Sequence, residues 1–132
     1  MGKLLSPKNV LSLIGGVSLI EGIGFYFGAE TITTQAFPAS YLEGGGKLVG
    51  ILMHQALASA VFAMGMIILA ARNLDISAAN KVLKGVGFAF IVFLASGLVH
   101  LFTTDITPPM PALVLMAVFI FLSFYTASKK AE

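Results

Sequence analysis

The chain has 132 residues, 58% of them hydrophobic and only 11% charged, with a formal net charge of +2 and no cysteine. A soluble domain averages about a quarter charged residues, and a chain this short cannot hide so much apolar surface in one core. The composition therefore points to a single domain in a lipid bilayer. It excludes disulfides, thiolate metal sites and thiol chemistry. With no basic stripe interleaved with aromatics, nucleic acid is excluded as a partner too.

Four apolar runs follow in chain order: Val10–Gly28, Leu48–Ala71, Val82–Phe102 and Pro109–Ala127. Each approaches the ~20 residues a helix needs to cross the hydrocarbon. Lipid offers no partner to backbone polar groups, so such runs are helical. Ser6-Pro7 reads as a cap with proline in the first turn, and Thr107-Pro108 repeats that arrangement before the fourth run. Ser77 is the expected cap of the third, and Gly44-Gly45-Gly46 is a flexible hinge before the second. The first run is too long for a signal-peptide core, Glu21 interrupts it, and Phe27-Gly28-Ala29 is a poor cleavage site, so it is read as a retained helix.

Orientation follows from the basic residues. Lys3, Lys8, Arg72, Lys81, Lys84, Lys129 and Lys130 fall on one side and only Lys47 on the other, which places both termini and the Asn73–Lys81 turn in the cytoplasm. The expectation is an all-α, four-helix, up-down-up-down bundle integral to the inner membrane. Ala29–Lys47 is then an outer loop, with Phe37, Pro38 and Tyr41 dipping into the interface. Glu30, Glu43 and Asp105 also lie outside, and the loop charges are read as solvated.

Four strongly polar side chains fall within the runs: Glu21, His54, Gln55 and His100. Counted from the outer helix ends, Glu21 and His54 both lie ~10 Å deep and His100 is shallower. The expectation is that three helices bring ionisable groups together in one leaflet. Intramembrane charges usually face the bundle interior and pair with one another. Ser96, one turn before His100, extends the network, and Gln55 points ~100° away from His54. The leading reading is proton-linked transport or small-ligand binding at an outward-facing Glu/His site. His54, His100 and Glu21 are also candidate metal ligands, and two histidines on facing helices are a candidate haem pair. The remaining reading is a hydrogen-bond network that only fixes helix packing. There is no HExxH motif, no nucleophile–base pair and no phosphate loop, so no reaction and no particular cofactor is indicated.

Small residues mark close helix contacts: the Gly24/Gly28 pair in the first run, Ala56/Ala60 and Ser59/Ala63 in the second, and Gly85/Ala89 in the third. They serve packing within the chain, a homo-oligomer or a larger membrane complex, in which the chain is an accessory subunit. The fourth run, with Phe119, Phe121, Phe124 and Tyr125, is bulky and reads as wholly apolar. That suits a face turned to lipid or a partner.

The span spacing, the long first outer loop and the short charged turn Ala71-Arg72-Asn73-Leu74-Asp75 resemble small four-span DoxX-like bacterial membrane proteins. The resemblance covers the layout of most of the chain, implies the four-helix fold, and carries over no functional residue. The carboxylate of Glu21 in the first helix is also similar to that of small multidrug transporters, but their tryptophan is missing here and the outer loop is longer.

Overall fold

The structure, a computed structural model, describes residues 5–129; Lys3 and Lys130, counted above on the cytoplasmic side, lie outside the described residues. The described chain is all-helical, and four of its five α-helices are long and apolar enough to cross a membrane.

α1 spans Pro7–Phe27. Its start follows the expected chemistry: Ser6 Oγ accepts from the Asn9 N–H at 3.3 Å and proline occupies the first turn. At Gly28 the helix breaks (φ −86°, ψ 3°), with the Gly28 N–H still donating to Gly24 O at 2.8 Å. The chain does not enter a loop there. It continues as α2, Ala29–Ala36, because Ala29, Thr33 and Ala36 form a helical stripe that is buried. The expected outer loop is thus half helix. A 3-10 turn at Ala39–Tyr41 follows, then Gly44 and Gly45 at φ 56° and 94°, a left-handed reversal that glycine adopts without a Cβ penalty.

α3 spans Gly46–Ala71 and α4 spans Ile76–Thr103. The cap of α4 is Asp75, whose Oδ1 accepts from the Ala78 N–H at 3.0 Å, and not Ser77 as expected. Asp75 wins because it lies outside the first helical residue with extended backbone, where a carboxylate reaches the open amides. α5, Met110–Ser128, starts after Pro109 with no side-chain cap. Thr107, the other expected cap, instead donates its backbone N–H to Ala36 O at 2.9 Å and so ties the α4–α5 connection to α2.

The helices pack as two antiparallel pairs. α1 runs against α3: a Cβ on Gly15 would meet Gly65 and Leu69, and one on Gly22 would meet Phe62. α5 runs against α4, with Phe124 over Gly87, Phe119 against Phe90 and Leu113 over Gly97. The pairs meet in a core built from Val10, Leu11 and Ile14 of α1, Ile68 of α3, Leu83, Val86 and Phe90 of α4, and Phe119 and Ala127 of α5. That core fills the half of the molecule holding the 72–75 turn. The glycines of the Gly24/Gly28 pair make no helix–helix contact. Close approach is made instead by Gly15 and Gly22, seven residues apart and on one face. Ala56, Ser59, Ala60 and Ala63 of α3 are exposed, as is Gly85 of α4. α5 is not wholly apolar or outward-facing: Phe119, Ser123 and Thr126 are among the most buried residues of the chain.

Candidate functional site

Glu21 sits where the tight core ends. On α1 it shares a face with Val10 and Ile14, eleven and seven residues before it in the helical repeat, and that face looks toward the α4–α5 pair. The neighbouring Gly22 lets α1 close onto the backbone of Phe62, and Glu21, ~100° further round, is turned into the space between the two pairs. There it is half-buried and lines a cavity of about 60 Å³. Leu57, Val61 and Met64 of α3 form one wall, and Phe90 and Phe93 of α4 with Leu115, Met116 and Phe119 of α5 form the other. Phe25 lines the cavity beside Glu21. All four long helices contribute, and among the described residues Glu21 is the only titratable one in the lining.

The expected Glu21–His54–His100 cluster does not form. Glu21 lies level with Val61 and Phe62, and His54 is eight residues nearer the start of α3, ~12 Å away along the helix. Counting from helix ends brings them level only if α1 ends beside the start of α3. α2 carries the chain two more turns past α1, so Thr33 of α2 meets the start of α3 at Gly50 and Glu21 lies level with Phe62. His100 and Ser96 are both exposed. The buried stripe of α4 runs through Leu83, Phe90 and Gly97, and these two lie roughly 80–120° round from it. Gln55 is half-buried, and its backbone carbonyl accepts from Ser59 Oγ at 2.9 Å. Among the described residues no group of three His, Cys, Asp or Glu side chains is placed to hold a metal ion, which removes the His54–His100–Glu21 metal set. The haem pairing fails as well, because His100 turns out of the helix interior.

His54 has a different task. Its Nδ1 lies 2.9 Å from Gly50 O and 3.1 Å from Thr33 Oγ1. Thr33 spends its only hydroxyl proton on Ala29 O at 2.7 Å. Both neighbours of Nδ1 are therefore acceptors, so Nδ1 carries the proton and donates to them. The imidazole pins α2 to α3, and the Phe37 ring packs edge-on against it with centroids 6.1 Å apart. Thr33→Val should cost about 1 kcal/mol, the net worth of one such bond. Hydrogen exchange of the α2 amides should accelerate about fivefold, and unchanged exchange would show that the contact does not hold α2. A second tie is the exposed ion pair of Lys47 Nζ with Glu30 Oε1 at 2.6 Å. The hydrogen bond from the Lys47 ammonium, and then its charge, hold the Glu30 carboxyl below its ordinary range.

α2 and its Thr33–His54 junction were not anticipated from sequence. The signal was present in the Ala29–Thr33–Ala36 spacing, which reads as one face of a short helix.

These features define a class of protein: a chain whose described residues are all-helical, with four helices of membrane-crossing length around a half-buried carboxyl. Comparison with known proteins adds nothing to that description, since no family model, curated protein or solved structure matches the chain.

Proposed function

We propose that the chain is a small integral membrane protein that exchanges a proton for a small organic cation at Glu21. The observation that carries this reading is a single carboxyl in an apolar cavity between all four long helices, with no second titratable group in the lining. A charged carboxylate in such surroundings is costly, and either a proton or a bound cation neutralises it. One carboxyl cannot hold both, so binding of one releases the other; that competition is the elementary step of exchange. At the ~10–15 Å³ each water-sized group requires, the cavity of about 60 Å³ takes four to six such groups. The apolar walls suit the methyl groups of an alkylated ammonium.

The four long helices are read as an up-down-up-down bundle in the inner membrane, the layout implied by the DoxX-like resemblance. Large apolar side chains stand on its outer surface, with Ile20, Phe27, Val92 and Phe102 each at least 69% exposed. Lipid is the medium that tolerates them. The basic residues put the 72–75 turn and both termini inside. Because the chain has no cysteine of its own, single substitutions test this directly. An impermeant thiol reagent added to intact cells should label Asp105→Cys and should reach Asn73→Cys only after lysis; the reverse pattern would overturn the orientation.

The test of function is tetramethylammonium, whose charge is fixed and which has five heavy atoms. Purified protein in vesicles should bind it more tightly as pH rises, with proton release, and Glu21→Gln should remove both effects. Binding that is equal in Glu21→Gln would sink the reading.

A further inference from the structure

Between Glu21 and the 72–75 turn, three hydroxyls among the described residues are buried without a hydrogen-bond partner. They are Ser18 on α1 and Ser123 and Thr126 on α5, each no more than 1% exposed. Asn80 Oδ1, on the first turns of α4, is a fourth buried acceptor without a partner. Other helical hydroxyls of this chain behave differently. Ser12, Thr33, Ser59 and Thr103 each return their proton to the carbonyl four residues back. That bond is open to any helical serine or threonine, yet these three do not make it. An unpaired buried hydroxyl costs about 1–3 kcal/mol, and native proteins satisfy such groups with bound water.

The four orphaned groups form a sequence of levels leading away from the cavity. Ser18 lies ~4.5 Å inward of Glu21 along α1. Phe119 lines the cavity, and Ser123 and Thr126 lie ~6 and ~10 Å inward of it along α5. Asn80 lies ~15 Å inward of Phe90, another lining residue, and brings the series to the end of α4 beside the turn. The steps within one helix, ~4.5 Å from Glu21 to Ser18 along α1 and ~4.5 Å from Ser123 to Thr126 along α5, suit a hydroxyl–water–hydroxyl bridge, which is two hydrogen bonds of ~2.8 Å. Among the described residues the opposite side of the cavity has no such series. Phe25, Leu57 and Phe93 lie there, and Thr33, the remaining buried polar residue, is committed to Ala29 and His54.

We propose that Ser18, Ser123 and Thr126 hold a chain of water that joins Glu21 to the side bearing the 72–75 turn. Protons then reach the carboxyl from that side only. In each transfer a hydroxyl or water oxygen gains one O–H bond as it gives up another, so nothing is consumed. Among the described residues no other titratable side chain lines the cavity to divert the proton. The proposal rests on the reading of Glu21 as a proton-exchanging group and adds the direction of access.

The experiment follows the carbonyl stretch of the protonated Glu21 carboxyl by infrared difference spectroscopy, with the band assigned by its loss in Glu21→Gln. In vesicles sorted for orientation, a pH jump on the turn side of the wild-type protein should move the band promptly. A jump on the α2 side should move it at least tenfold more slowly. Ser123→Ala combined with Thr126→Val should slow exchange of the band into heavy water at least tenfold without altering its equilibrium titration. Ser123→Thr combined with Thr126→Ser, which keeps both hydroxyls, should exchange as the wild type does. Equal response from the two sides, or a double variant as fast as wild type, overturns the path. If the hydroxyl-free variant does not fold, the sided pH jump on the wild type still decides. Failure of tetramethylammonium to bind, with sided carboxyl exchange intact, overturns the ligand reading and leaves the path standing. A carboxyl band that ignores pH from both sides overturns both.

Discussion

Gly22→Val is expected to destabilise the fold by roughly 3 kcal/mol or more, at the upper end of what overpacking costs. A Cβ at this position would stand 2.7 Å from Phe62 Cβ, 2.8 Å from its backbone N and 2.9 Å from its Cα. Two of those three atoms are backbone in the middle of α3, so no rotamer change makes room, and α1 would have to move off α3. That seam is the most extensive contact in the molecule and it also aims Glu21, so the variant should lose cation binding along with stability. Gly24→Ala is the control: it lies two residues away on the same helix, and its added methyl would meet nothing within 4 Å. Its effect should stay within about 0.5 kcal/mol of wild type, as for surface substitutions away from special features. Thermal unfolding in detergent, followed by loss of helix signal, separates the two. A Gly24→Ala defect as large as that of Gly22→Val would mean that α1 packs through its other face.

Glu21→Leu should do two opposite things. It replaces a carboxyl with an apolar side chain of similar reach in a cavity whose other lining residues are all apolar. Stability should rise by about 1 kcal/mol or more, as when a buried charged group is replaced by a packed hydrophobe. Cation binding should fall at least ~30-fold, the lower bound for losing one member of a desolvated charge pair. Glu21→Gln keeps the shape and the polarity, so it should lose binding without the stability gain. Glu21→Asp keeps the charge and should retain measurable binding. The combination of raised stability and lost binding distinguishes a functional carboxyl from a structural one. A carboxyl that merely held helices together would lower stability in both the Leu and Gln variants.

His54 and Glu21 show how much of the site was legible. Both stand out in the sequence because polar groups are rare in the apolar runs; His54 ties α2 to α3, and Glu21 lines the cavity. That they stand apart was not legible. It depends on the height of α1 relative to α3, and that height is set by α2 and by the meeting of Gly22 with Phe62. His100 and Ser96 were equally visible in sequence, yet they face outward because the buried stripe of α4 passes through Gly97 on another side. The buried hydroxyls of Ser18, Ser123 and Thr126 gave no signal at all. Serine and threonine are common in apolar helices, and whether one is orphaned depends on what surrounds it in space.

By itself the sequence determined that four long apolar helices form and roughly where each starts and stops. Those properties are local: apolar length, the Ser6-Pro7 start, the glycines before α3 and the charged turn at 72–75 all act within a few residues. Only the tertiary structure decided which polar side chain faces the interior and what surrounds it. Helix faces rotate by about 100° per residue, so a shift of one position in packing register turns a buried side chain outward. The glycine contacts at positions 15, 22, 65, 87 and 97 set that register, and with it they left Glu21 alone in the cavity.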